Sequence, residues 1–221
     1  MKKSQILVTT LLLLAIVFNL KAQVVKIGKQ TWMTKNLNVS TFSNGDSIPQ
    51  AKSFEEMKSF KQLGKAFWCY YNFDSANEEK YGKLYNDFAI NDPRGLAPAG
   101  FHIPSVEEWT MLTKYLGGSK SAFLKLSSKT GWNFKSNRSN ASGFTALPGG
   151  QGSLSGFEAI GAYGCWWTNT KDEVESKGVQ ELYGGKEKWQ SYVFLFGFSK
   201  EFKISNNFST SRLLSVRCIK D

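Results

Sequence analysis

Three cysteines, one histidine, an adjacent glutamate pair and a set of tryptophans are the residues whose types could carry chemistry here. Cys69, Cys165 and Cys218 are too far apart for a C-x-x-C redox or zinc motif. An odd number of cysteines in an oxidising compartment leaves a thiol over or forms an intermolecular bond, and the spacing leaves the connectivity open. His102 is the only histidine. A general base needs a nucleophile and an orienting partner, and no G-x-S-x-G motif is present. Between Phe101 and Ile103, His102 is therefore expected to make a structural hydrogen bond at the start of a helix. Glu107 and Glu108 would point about 100° apart on a helix, so capping explains them better than a shared acid–base site. Asn86-Asp87 and Asn91-Asp92 read as turn formers rather than Ca²⁺ ligands. No catalytic residue, metal or cofactor is expected. The remaining candidates for ligand contact are Trp132, Trp166, Trp167 and Trp189, near glycine-rich loops, where flat rings stack on sugars or anchor a protein partner. Neighbours on a strand face opposite ways. One of Trp166 and Trp167 should therefore be core, and the other should face a second layer, a loop or a ligand.

These residues have to be positioned by a mature chain. Residues 1–22 have the layout of a cleavable secretory signal: Met1-Lys2-Lys3, an apolar stretch from Ile6 to Leu20, and a small residue, Ala22. The stretch is shorter than the roughly 20 apolar residues of a spanning helix, and no later run is long enough to span. The expected domain is 23–221, exported to the periplasm, the cell surface or the medium. Loss of Lys2, Lys3 and Lys21 lowers the net charge from +10 to +7, leaving 25 basic against 18 acidic residues. The lysines alternate with acids, as in Lys186-Glu187-Lys188, so no nucleic-acid stripe is read.

Local signals give an α+β fold. A strand pair is expected around Gly28, and a buried aromatic strand at Phe67–Tyr71. Ser53 with Glu56, and Ser105 with Glu108, mark two capped helices that end at Gly64 and at Gly117-Gly118. Gly143–Gly150 is expected to be a short strand entering a sharp turn, and the stretch after it, through Gly164, is glycine-rich and weakly patterned. Further strands are read at Cys165–Thr168, Ser191–Phe198 and Leu213–Ile219, the last of them interior.

Several segments in order carry a resemblance. They are Ile27–Met33 with Asn36-Leu37-Asn38-Val39, Asn44-Gly45-Asp46, Cys69-Tyr70-Tyr71-Asn72, Tyr81–Asn86, Leu96–Ser105 with Glu108-Trp109, Ser142–Gly150, Trp166-Trp167-Thr168 and Ser215-Val216-Arg217-Cys218. Together they resemble the Fibrobacter succinogenes major paralogous domain family, from about residue 24 to the end. Two positions depart from its pattern: Phe101 replaces the usual Trp, and Cys165 stands where an aromatic or small residue is usual. The resemblance implies a Cys69–Cys218 disulfide with Cys165 left over. It also implies a C-type lectin-like fold of the kind built in the formylglycine-generating enzymes, with two main helices, a small twisted antiparallel sheet and long loops. The cysteine–copper motif of those enzymes does not map onto this chain. The expected function is a non-catalytic binding or adhesion module for a glycan or protein. An enzyme related to the formylglycine-generating group and a structural envelope component are the alternatives.

Overall fold

The computed structural model describes residues 24–173, 188–205 and 211–221, and the expected leader lies outside them. Strands β1 (Val24–Ile27) and β2 (Gln30–Met33) pair antiparallel around a turn at Gly28. Gly28 has φ 61°, a left-handed conformation that favours glycine, and an added Cβ would stand 3.0 Å from the exposed Tyr115 ring. Helix α1 (Phe54–Gln62) is capped by Ser53, which accepts the Glu56 N–H. The Glu56 carboxylate accepts the N–H of Lys52, one residue earlier than a strict capping box would use.

Strands β3 (Trp68–Cys69) and β4 (Leu84–Tyr85) form a two-stranded sheet. The expected Phe67–Tyr71 strand is cut short because the chain turns into a 3-10 turn at Tyr71–Phe73, with Asn72 at φ 55°. Single-turn helices α2 (Glu78–Tyr81) and α3 (Asp87–Ile90) flank β4. After β5 (Phe101–His102), helix α4 (Val106–Tyr115) begins with the full reciprocal cap of Ser105 and Glu108. Trp109, Leu112 and Leu116 form its buried stripe.

A third helix of comparable length, α5 (Ser119–Leu126), follows the Gly117-Gly118 stop, where the sequence reading expected none. Its N-cap is Gly118, which makes no side-chain capping bond, so the usual start signal is missing. Ala122, Phe123 and Leu126 nonetheless bury one face of it. Before the Pro148 turn, the strand expected within Gly143–Gly150 is only an isolated bridge, Ser127 to Ala146.

The glycine-rich stretch, read as weakly patterned, forms a hairpin of β6 (Gly149–Ser153) and β7 (Gly156–Ile160). Strands β8 (Tyr163–Glu173), β9 (Lys188–Phe196) and β10 (Glu201–Ser205) follow. The expected terminal strand is two short ones, β11 (Arg212–Leu213) and β12 (Ile219–Lys220).

Mixed α and β structure with several antiparallel sheets is therefore observed, but the described residues form three sheets rather than one small one. The first has the order β1-β2-β12-β5 and the second β10-β9-β8-β6-β11, with β7 on β6; β3-β4 is the third. Among the named strands of the described residues, one pairing is parallel, β6 with β8, where Gly150 stands beside Gly164. Residues between β11 and β12 join the sheets. Tyr85 and Leu214 exchange backbone bonds, Trp167 N–H donates to Ser215 O, Leu37 N–H to Val216 O, and Met33 N–H to Cys218 O. β12 lies between β2 and β5, so the last strand is interior. Among the described residues no helix is long and apolar enough to cross a membrane.

Candidate functional site

Strand alternation decides where the expected site residues go. Trp166 and Trp167 face opposite sides of β8, and both sides are covered. Trp166 is 1 % exposed, packed with Trp32, Trp109 and Phe144; Trp167 is 2 % exposed, packed with Trp68, Tyr85 and Tyr192. Trp132 is 8 % exposed and stacks edge-on to Phe123. Their indole N–H groups donate inside the protein, to Asn36 Oδ1, Tyr85 O and Ser128 Oγ respectively. These three rings therefore leave no face open for a sugar, and the expected stacking platform is not made by them. Trp189 lies in β9, but its side chain is outside the described residues.

The implied Cys69–Cys218 disulfide is also corrected: all three cysteines are free and buried. Around β3, Ala66, Trp68 and Tyr70 face one layer, while Phe67, Cys69 and Tyr71 face the other. Cys218 and Cys165 belong to the layer of Trp68, so Cys69 points away from both. Burial pushes each thiol up to about 12, which keeps it protonated and unreactive.

His102 holds the structural place expected of it. Its ring nitrogens lie 2.8 Å from Glu108 Oε1 and 2.7 Å from Asp221 Oδ1, which ties β5 to α4 and to the C-terminus. Desolvation lowers its pKa, but the bonds to Asp221 and Glu108 outweigh that and leave it raised above 6.5. A raised folded pKa means that the native state binds the proton more tightly than the unfolded chain does. The stabilisation is thus complete below the unfolded value and is lost as pH rises through the folded one. In urea titrations, the wild-type midpoint should fall as pH rises above 6.5, and the midpoint of His102→Gln should lack that component. Parallel pH profiles for the two proteins would contradict this.

What the structure does assemble is a cleft of about 570 Å³ between the segment after β2 and the α2 region. Its apolar wall includes Leu37, Val39, Pro98 and Leu147, and Arg217, 1 % exposed, also lines it. Among the described residues no acid forms an ion pair with Arg217. Its Nε and Nη2 donate to Asn36 Oδ1, and its Nη1 donates to Met33 O and Phe144 O at 3.1 and 2.7 Å. The guanidinium stands 4.5 Å from the centre of the Phe144 ring. Desolvation pushes its pKa down to about 9, so it remains charged at neutral pH.

Asn36 is the hub of this floor. Its Oδ1 also accepts the Trp166 N–H, and its Nδ2 donates to Tyr81 O and Ser215 Oγ. Behind the lining residues Asn38 and Glu78, Lys83 is buried with its ammonium over the Trp68 ring, and it donates to both of them. Bonds from Tyr70, Lys83 and Asn38 hold the Glu78 carboxylate below its usual range.

Chemically, this is an apolar trough with a charged rim. Each nitrogen of the Arg217 guanidinium donates to a protein acceptor, and among the described residues no cysteine or histidine lines the trough. The sequence reading missed Asn36 and Arg217 as site residues. One available signal was an arginine set between apolar Val216 and Cys218 in a segment expected to be interior. Ten of the lining residues, from Met33 to Arg217, come from the ordered segments that carried the family resemblance, which is why this cleft rather than a larger groove is taken as the candidate site. Residues 25–220 match the family model described as Fibrobacter succinogenes major domain. No curated protein and no solved structure matches the chain.

Proposed function

This chain belongs to the Fibrobacter succinogenes major domain family, and we propose that it is an exported, non-catalytic binding or adhesion module on a C-type lectin-like frame, working at the bacterial surface or in the periplasm. The observation that carries this reading is the cleft in which the motif segments converge. Pockets of some 300–1,000 Å³, mostly apolar with a few placed polar groups, are the usual form of a binding site. Here a glycan or peptide segment would lay its apolar face on Leu37, Val39 and Leu147 and orient itself on the Glu78 and Lys80 rim. The mixture of helices with mainly antiparallel strands and long loops supports the lectin-like reading of the frame. The enzyme alternative calls for reactive thiols, and the buried, protonated thiols do not favour it.

The test is a glycan array and a peptide array probed with the mature protein and with Leu147→Trp, which fills the cleft from its half-buried wall. Saturable binding by the wild type should weaken about tenfold or more in the variant, a loss of some 1.4 kcal/mol. Arrays silent at high protein concentration, or equal binding by Leu147→Trp, would end the proposal.

A further inference from the structure

A second groove, of about 710 Å³, lies between the loop that follows α5 and the turn that follows β9. Lys129, Lys135, Arg138 and Lys200 line it together with Leu124, Ser136 and Asn137, and no acid is among the lining residues. None of the four cations is in an ion pair among the described residues; nearby Glu201 is paired with Lys203. Arg138 Nη1 donates to Ser136 Oγ, but its Nε is buried without a partner. A buried donor left unmade is costly, so Arg138 still has hydrogen-bonding capacity to offer.

The walls are held before any ligand arrives. Ser139 N–H donates to Leu124 O, Asn133 N–H to Gly161 O, and Gly197 N–H to Ala162 O. Beside the cations stand two exposed aromatic rings, Phe134 and Phe198, 42 % and 70 % exposed, with ring centres 6.4 Å apart. They are one and two residues from Lys135 and Lys200. An exposed aromatic pair bordering an unpaired cationic groove provides both a surface for ring faces and a seat for negative charge.

We propose that this groove binds an acidic polysaccharide: its sulfate or carboxylate groups settle among Lys129, Lys135, Arg138 and Lys200, and the apolar faces of its sugar rings lie on Phe134 and Phe198. The concave shape favours a chain over a flat lipid surface, on which the cations would have to stand proud. The choice of glycan over nucleic acid rests on the exported location proposed above. The site is separate from the motif-lined cleft, so either can fail without the other.

Calorimetric titration with a sulfated hexasaccharide and an oligogalacturonate tests this, with a neutral dextran oligomer, anionic phospholipid vesicles and an oligothymidylate as comparison arms. Binding of at least one acidic oligosaccharide should weaken about tenfold or more between about 50 and 200 mM salt, because four cations release counter-ions. Lys135→Glu with Lys200→Glu, both at exposed positions, should weaken it about tenfold or more while leaving the melting midpoint unchanged. Phe198→Ala should weaken it about threefold or more, and Leu147→Trp should have no effect. The proposal is overturned if neither acidic oligosaccharide binds saturably at low salt. It is equally overturned if the neutral dextran, the vesicles or the oligothymidylate bind as tightly, or if the charge reversals leave affinity unchanged.

Discussion

Arg217→Ala is expected to destabilise the fold by about 5 kcal/mol, and Arg217→Met by only about 2. Two opposing effects set the difference. A buried cation without a counter-charge is expensive to desolvate, so removing the charge relieves a penalty. The same change strips Met33 O and Phe144 O of the donor that Arg217 gives each of them, at roughly 1–3 kcal/mol for each carbonyl left unpaired. It also removes the guanidinium from the Phe144 ring. Methionine keeps most of the side-chain volume; alanine adds a cavity beneath Phe144 and Trp166, and this accounts for the larger loss. Urea unfolding of the three proteins checks the order. A loss below about 1 kcal/mol for Arg217→Ala would show that the network contributes little. Because Asn36 Oδ1 receives Arg217 and Trp166 together, a double-mutant cycle of Arg217→Met with Asn36→Ala should show coupling of about 1 kcal/mol or more.

Gly150→Ala should cost about 3–5 kcal/mol, for reasons unconnected with any ligand. Gly150 sits at φ 69°, and an added Cβ would stand 2.6 Å from Glu158 O and 2.7 Å from Ile160 N. Both are backbone atoms of β7, so no side-chain rotation relieves the clash and the β6–β7 pairing must open. The left-handed conformation adds roughly 1–2 kcal/mol for a residue with a Cβ. Gly156, in the same hairpin, has nothing within 4 Å of its added Cβ and no positive φ. Gly156→Ala should therefore change stability by less than about 0.5 kcal/mol. Thermal melts of the pair decide the matter, and equal midpoints would refute the steric account.

Several elements were legible because their causes are local. Ser105 and Glu108 are three residues apart, so their reciprocal bonds form within one turn whatever lies around them. The Gly28 turn needed only a glycine between two short strands. α5 was missed for an equally local reason: Gly118 at its start supplies no side-chain acceptor. At Trp166-Trp167, alternation was read correctly but its consequence was not. A single strand cannot show that protein covers both of its faces, and here both are covered. The disulfide implied by resemblance failed on the same geometry, since β3 turns Cys69 toward one layer while Cys218 lies in the other.

The sequence by itself determined the helix caps, the turn at Gly28, an interior final segment, and the motif segments whose residues later proved to line one cleft. Tertiary structure alone decided which polar groups meet. Asn36 and Arg217 are 181 positions apart yet share bonds at 2.8 and 3.1 Å. Lysines 129, 135 and 200, which read as scattered charges along the chain, stand in one groove. Capping and turn preferences act over a few residues and leave their mark in local spacing. Burial and electrostatics depend on distance through space, which this chain acquires only when its last residues thread between the sheets.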